Sequence, residues 1–505
     1  KLGTSDLIIG LVLTIITVGL YFGEVSFFEG LEYRLYDLRA RLRQESKESR
    51  EKAAAQNIAI VAIDDASIAN IGRWPWPRGV IADLLLAISK AQPKVIGLNI
   101  LFSEEDRNEG LKEIKELAEK YNLLALSAPR EKRMKKAVEP YLAFGDEFQQ
   151  AALRLDNDAI LEQSLVASNN VVLPMFFVPG PTLGEETEAV SPVLSSNTLT
   201  GVQPAGGAWS VPEGRAPTLP LDKFAAAALA VGHVNIQADS DGVMRRESPV
   251  LKYRDAYYPS FALQCARAFT GMPLKDLTII PGASLAVGKT TVPLDRRSGM
   301  LLSYLGPAQT FPYFSVFDVL TEKIPPEAFR NKVVLVGHMA TGIADLQVTP
   351  LGHNYPGVEV AATAVENLLS GRVIWRPAWA RTAELAFLAL CGAFVTVLLP
   401  RLKAKLGAIA AGGLLAVIAG VGTALFIRQG VWLKIYYPAS LLLIGYMLVT
   451  ALRFFFTEKA KALGDAEQIE TNKMLGLSFQ GQGMLDLAFE KFRKCPIDDT
   501  MKDLL

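Results

Sequence analysis

Apolar residues gather in four blocks of this chain, one near its start and three near its end. The first runs from Leu7 to Gly23; the others cover Thr382–Leu399, Leu406–Ile427 and Tyr436–Phe456. A helix of ~20 apolar residues, rising 1.5 Å per residue, crosses the ~30 Å hydrocarbon core of a bilayer, so each block predicts a transmembrane helix. Between the first and second lies a stretch with the mixed polarity of a water-soluble domain, long enough to bury its own core. The expected organisation is a short cytoplasmic N-terminus (1–6), a first span (7–23), an extracytoplasmic domain (24–378), spans at 382–399, 406–427 and 436–456, and a cytoplasmic tail (457–505). The first span reads as an uncleaved anchor, because no small-x-small cleavage site precedes Glu24.

Charges orient these spans. Arg401, Lys403 and Lys405 fill the loop between the second and third with no acid, which marks that loop as cytoplasmic. Tyr21, Phe22, Trp375, Trp379, Trp432, Tyr436 and Tyr437 then all fall at the outer interface, where amphipathic rings are most stable. Gly412, Gly413, Gly420 and Gly422 either permit close helix approach or reflect the frequency of glycine in membrane helices.

Within 24–378, short apolar runs alternate with helical patterns. Ile58–Ile63, Val95–Phe102, Val171–Val178 and Val333–Gly337 read as buried strands, and Pro77–Ser89 and Asp156–Ala167 as helices. This alternation predicts an α/β domain, a mostly parallel sheet with flanking helices. Residues 232–304 read as shorter, partly antiparallel strands. Glu104–Lys136 reads as a solvated helix plus a loop, and Pro179–Pro220 as a long surface excursion.

Composition removes several functions. The formal net charge is +0, so no basic field invites nucleic acid. The chain has 3 histidines and 3 cysteines and lacks CxxC, Walker, HExxH and GxSxG motifs. We therefore expect no metal, no cofactor and no catalytic residue. Cys265, Cys391 and Cys495 fall in different expected compartments, so no intrachain disulfide is anticipated.

Three segments carry a family resemblance. VAIDDASIANIGRWPWPR with KVIGLNILFSEED, GHVNIQADSDGVMRRE with YPSFALQCAR, and KVVLVGHMATGIADLQVTPLGHNYPGVEVAATAVENLL resemble the opening, middle and closing parts of the type-2 CHASE domain. The resemblance covers about residues 24–380 and the spans that follow. It implies an extracytoplasmic sensor of bacterial receptors whose cytoplasmic output is a kinase, a nucleotide cyclase or a cyclic-dinucleotide enzyme. Asn99 departs from the family's usual aspartate, and Ala361 and Thr363 stand where histidine and asparagine are common. In the tail, Leu475, Gly476, Phe479, Ala488 and Phe492 are spaced as in the first repeat of a tetratricopeptide array.

Candidate ligand-binding residues follow from position. Asp64 and Asp65 end the first strand, where open α/β sheets bind ligands, yet Asp64 could equally cap a turn. Trp74, Trp76 and Arg78 offer two aromatic faces and a guanidinium, or a stiff loop that orders the next helix. Asn99 follows the second strand; His338, with Asp345 seven residues on, follows the last. Asp239–Gly242 lacks the glutamate of a calcium loop and reads as a turn. Of Arg245 and Arg246 behind it, one should face inward and could pair with a sheet-end carboxylate. The repeated arginines Arg34, Arg39, Arg41 and Arg43 fit either a transmitting helix or contact with lipid headgroups.

Taken together, the chain reads as the sensory module of a receptor in the bacterial cytoplasmic (inner) membrane. Its expected partners are the bilayer, a second copy in a homodimer or higher oligomer, an external small-molecule or protein ligand, and cytoplasmic proteins at the tail, with no nucleic acid. The alternative is an envelope scaffold that gathers partners without sensing a small molecule.

Overall fold

The computed structural model describes residues 4–127, 135–181, 190–203, 206 and 209–496. The chain divides into a mainly helical unit (Lys1–Glu32, Trp379–Gly422 and Lys434–Leu505) and an α/β unit (Tyr33–Ala378 with Thr423–Leu433).

A seven-stranded sheet organises the α/β unit. Its strands are β1 (Ile58–Ile63), β2 (Val95–Leu98), β3 (Val171–Pro179), β4 (Gly214–Thr218), β5 (Ala230–His233), β6 (Tyr313–Ser315) and β7 (Val333–His338). They lie in the order β6, β1, β7, β2, β3, all parallel. β3 pairs along its first half with β5, also parallel, and along its second half with antiparallel β4. In β1 every residue is apolar because both faces are covered. Ile58 and Ile60 enter one core with Val333, Leu335, Phe261, Val358 and Val365; Ala59, Val61 and Ile63 enter the other with Ile81, Leu85, Leu161, Val334 and Val336. The alternation is the two-residue period of a pleated strand, and each fully buried isoleucine stabilises the fold by about 1.5–3 kcal/mol.

The helices Phe261–Thr270 and Gly357–Ser370 cover the first face. Those at Arg78–Lys90, Asn157–Ser168 and Val316–Leu320 cover the second. Gly97 lets the first layer approach: a Cβ there would lie 2.5 Å from Leu335 Cδ2 and 2.9 Å from the Phe261 ring. Pro77 acts as the N-cap of Arg78–Lys90, while Asp156 caps Asn157–Ser168 by accepting the Ala159 amide. Residues 246–356 add antiparallel pairs, among them Arg246–Glu247 with Met300–Leu301 and Val250–Tyr253 with Ala256–Pro259.

Several expectations are corrected. The second strand stops at Leu98 rather than Phe102. The charged segment does form its expected helix, Glu109–Ser127, and residues 128–134 of the expected loop lie outside the described part; the addition is a second helix, Lys135–Leu155. The two pack through Tyr121, which lies against Gly145 and near Phe148. The Pro179–Pro220 stretch is more than a surface excursion. Its described part supplies β4 and the turn of helix Pro192–Ser196, and buries Val193, Leu194, Leu199 and Val211, isolated anchors that polar composition masks.

In the helical unit, three segments are long and apolar enough to cross a membrane: Ala380–Arg401, Ala404–Gln429 and Tyr436–Phe455. A fourth counts only if Leu7–Gly23 and the helix beginning at Ser26 are taken as one bent span. The chain turns between them at Glu24, with φ 44°. Leu7–Gly23 packs through a reciprocal pair of small-residue contacts: Gly10 meets Thr396 and Thr14 meets Gly392, both at a spacing of four. Thr396 lies in a π-helical turn, Phe394–Leu398. Of Gly412, Gly413, Gly420 and Gly422, the last makes a close approach, a Cβ there lying 2.6 Å from Ile435 Cγ2, whereas a Cβ on any of the other three would meet nothing within 4 Å; Gly10, Gly392 and Gly445 make further close approaches. Buried polar groups knit one end of this unit. Glu384 accepts from Tyr21 Oη at 2.5 Å and from the Lys434 amide at 2.8 Å, while Glu29 accepts from Lys434 Nζ at 2.6 Å and Tyr437 Oη at 2.8 Å.

The fourth apolar block continues well past its hydrophobic window as one helix, Tyr436–Gly481. A short helix, Leu485–Phe492, folds back on it; Phe492 packs on Gly476, Ala488 and Cys495, with Ile469 and Phe479 beside them. Residues 497–505 lie outside the described part.

Candidate functional site

The carboxyl ends of β1, β7 and β2 gather most of the expected site residues, and the structure separates those already engaged from those still open. Asp64 is the N-cap of the helix Asp65–Ile71. Its Oδ1 accepts the Ser67 amide at 2.8 Å, the Ser67 hydroxyl at 2.5 Å and the Ser315 hydroxyl at 2.9 Å, stitching β1 to β6. Asp65 receives the Thr341 amide at 2.9 Å and its hydroxyl at 3.1 Å, fixing the loop after β7. Both carboxylates therefore serve the sheet edge itself.

Arg78 is likewise engaged. Its guanidinium donates to Asp158 and to the Glu104 carbonyl and lies over the rings of Phe102 and Phe224. Asp158 also takes Lys223 Nζ at 2.8 Å. Burial raises the Asp158 pKa, but the hydrogen bonds from Lys223 and Arg78 outweigh it and hold the carboxyl below its ordinary value. Trp76 is buried and donates its indole N–H to the Gly72 carbonyl at 2.8 Å. Within the run 74–78, Trp76 and Arg78 are thus bonded inside the protein at the start of the helix Arg78–Lys90.

Three polar or aromatic groups stay open at this edge. His338 ends β7 and is half-buried; Trp74 stands edge-on to it at 4.8 Å. Burial pushes the His338 imidazole below its usual pKa, with Asp345 opposing, so the ring is neutral near pH 7. Asp345 is exposed and accepts from Gln347 Nε2 at 2.5 Å. Asn99 follows β2, the neighbour of β7, and its amide donates to the Val336 carbonyl at 2.9 Å. Neither His338 nor Asn99 has a side-chain hydrogen bond to another described residue. Among the described residues no group of three or more His, Cys, Asp or Glu could hold a metal ion.

Arg245 is elsewhere, and the expectation that it pairs with a sheet-end carboxylate is corrected. Fully buried, it grips Asp37 through Nε and Nη2 (2.8 and 2.7 Å), Asp241 through Nη1 and Nη2 (2.8 Å each) and Asp239 at 3.1 Å. The Asp239–Gly242 segment is a turn, closed by the Gly242 amide on the Asp239 carbonyl at 2.9 Å, and it aims both carboxylates at Arg245. Arg246 takes Asp239 and Asp295. Tyr33 stacks on Arg245 from the same helix as Asp37, Ser26–Ala54. Three arginines of that helix are tied to backbone carbonyls: Arg39 to Leu433, Arg41 to Pro350, and Arg43 to Phe426 at the carboxyl end of Ala404–Gln429. A cation at a helix C-terminus meets its partial negative charge.

Sequence reasoning missed Asp37, Asp158 and Glu359. Asp37 left a signal as the lone acid in the run YRLYDLRARLR. Glu359 left another, an acid in the otherwise apolar start of GVEVAATAVENLL. Fully buried, it accepts the Gln309 and Thr310 amides and the Tyr313 hydroxyl.

The geometry is that of a parallel-rich α/β domain with His338, Asn99 and Trp74 at one sheet edge, in a chain bearing apolar helices. A family model, the CHASE2 domain, matches residues 9–398, and the chain belongs to that family of extracellular sensor domains. No curated protein and no solved structure compared with the chain matches it.

Proposed function

We propose that the chain is the sensory part of a multi-pass signalling receptor of the bacterial cytoplasmic membrane. Four helices span the bilayer, the α/β domain faces outward, and the tail after Phe456 meets cytoplasmic effectors. The observation that supports this most directly is Arg245 holding Asp37, because Asp37 sits on the helix that follows the first apolar block. A cue that shifts the packing around Arg245 acts on that helix, and signalling requires such a difference between two states. The reciprocal Gly10–Thr396 and Thr14–Gly392 contacts support Leu7–Gly23 as a genuine fourth span. The Phe492–Gly476 hairpin supports a tetratricopeptide-like first repeat, which needs about three repeats to bury a core. Dimerisation of the receptor completes this reading.

Within the domain, Trp74, Asn99 and His338 are the residues we assign to the ligand, with Asp345 acting on His338; the output is a kinase or nucleotide cyclase. One observation favours the alternative, an envelope scaffold: the edge carboxylates Asp64 and Asp65 are already engaged by Ser67, Ser315 and Thr341. A thermal-shift screen of the full chain in detergent against a broad small-molecule panel separates the two. A sensor gives a hit worth about 2.7 kcal/mol at 100 times its Kd, lost in W74A. No hit, together with strong self-association, sinks the sensor and leaves the scaffold.

A further inference from the structure

The link between the third and fourth apolar helices is built into the α/β domain. Thr423–Leu433 belongs to the α/β unit, although apolar helices lie on either side of it in the chain. Main-chain hydrogen bonds tie it there. The Arg245 carbonyl accepts the Leu302 amide at 2.8 Å, and Leu301 pairs with Arg246. The Leu301 carbonyl accepts the Ile374 amide at 3.2 Å. Trp375 then donates its amide to the Gly430 carbonyl at 2.8 Å and accepts the Trp432 amide at 2.9 Å. A bonded ladder thus runs from Arg245 through 300–302 and 374–375 to the link.

The Asp37 helix holds the same link from its other face. Arg39 donates to the Leu433 carbonyl at 3.0 Å, and Arg43 to those of Phe426 and Ile427 at 2.6 and 3.1 Å. Tyr36 meets the rings of Phe426 and Trp432 edge-on at 5.1 and 5.2 Å. Tyr36, Arg39 and Arg43 share one helix face by their spacings of three and four; Asp37 and Arg41, four apart, share the face that meets Arg245 and the Pro350 carbonyl. Gly430, with φ 72°, lets the pieces meet. A Cβ there would lie 2.8 Å from the Val373 carbonyl oxygen and 3.2 Å from Arg43 Nη1. Tyr36 is fully buried, yet its hydroxyl has no hydrogen-bond partner among the described residues.

We infer that Thr423–Leu433 is the outlet of the domain, a strap that passes displacement of the Arg245 cluster to the helix beginning at Tyr436. This route rests on the receptor reading and adds to it a second path beside the first apolar block. Loosening Arg245 from Asp37 acts on the strap twice, through the ladder and through Arg39 and Arg43. The unbonded Tyr36 hydroxyl makes the joint yield, because a buried polar group without a partner costs energy that a displaced arrangement relieves. Arg39, Arg43 and Gly430 are positioning residues in this scheme.

The test is amide exchange by mass spectrometry on the full chain in lipid nanodiscs, following peptides over 300–302, 373–376 and 430–433, with β1 as the internal control. All are protected in the native chain. D37N raises exchange over 373–376 and 430–433 about tenfold and leaves β1 unchanged, as expected for a local opening. Coupling is reciprocal, so G430A, which strains the far end, raises exchange over 300–302 as well. A merely local role for Gly430 would leave 300–302 unmoved. R43Q touches neither Arg245 nor Asp37 and should raise exchange over 430–433, which keeps the test open should D37N fold poorly. An unprotected strap in the native chain, or D37N and G430A effects that each stay in their own segment, overturns the outlet even where a ligand is found. Coupled exchange without any ligand hit upholds the outlet and counts against the sensor reading alone.

Discussion

Arg245 and Asp37 share two hydrogen bonds, 2.8 and 2.7 Å long, across 208 positions of chain. The guanidinium is fully buried, and Asp239 and Asp241 complete its shell. Such a cluster fixes one docking of the Asp37 helix on the domain. Removing the cation leaves three carboxylates facing each other; breaking a buried pair in this way costs about 3–5 kcal/mol. We expect R245A to lower the unfolding midpoint accordingly and D37N to cost less. Hydrogen exchange should rise over residues 33–46 in both. A double mutant whose losses simply add would show that the two residues do not communicate.

Acid acts on the same cluster through Asp241, whereas burial raises Asp37 and gives it the opposite sign. Burial alone would raise the Asp241 pKa, yet its hydrogen bonds from Arg245 hold it below the ordinary aspartate value, as Lys223 and Arg78 hold Asp158. A carboxyl with a lowered folded pKa contributes stability that is complete above its unfolded pKa and is lost as pH falls through the folded one. Glu247 has the opposite sign. With a folded pKa about 7 against an ordinary 4.5, it withdraws stability as pH rises through that window. Denaturant unfolding of the native chain from pH 2 to 8 should show a steep acid limb below about pH 4. The decline from pH 4.5 to 7 should vanish in E247Q.

Asp64 is better understood as a cap than as a ligand. We expect D64A to cost about 1 kcal/mol, the usual loss for an N-cap carboxylate, whether or not any ligand is present. W74A and H338Q should instead leave stability within about 0.5 kcal/mol of the native value while abolishing any ligand shift. Calorimetry with and without a hit from the screen decides between these roles.

Gly392 tests the first span. A Cβ there would lie 2.6 Å from Thr14, so G392L must push the two helices apart. Overpacking of this kind costs about 1–3 kcal/mol. Disulfide trapping between cysteines placed at positions 14 and 392 should be efficient in the native background. Failure to trap would remove the helix-packing argument for a fourth crossing.

Much of the fold was legible because its physics is local and periodic. β1 was readable to the residue from six consecutive apolar positions, and Asp156 announced the helix it caps. The engagement of the site was not legible. Nothing local tells that Asp64 will meet Ser315 or that Arg78 will find Asp158, because those partners lie 251 and 80 positions away. Arg245 illustrates the same limit: it is fully buried, but its partner Asp37 lies on a helix at the other end of the domain's sequence, and Arg246 turns to the same Asp239 rather than to the opposite face.

The helix that begins at Tyr436 leaves its apolar window after Phe455 and continues unbroken to Gly481, about 39 Å further at 1.5 Å per residue. Everything after it is therefore held at a definite angular phase about that axis. Inserting one residue at Ala462 turns the Phe492 hairpin by about 100°, whereas inserting seven returns it to within about 20° of its original heading. Output that depends on facing direction should oscillate with the length of the insertion, and output that depends only on reach should not.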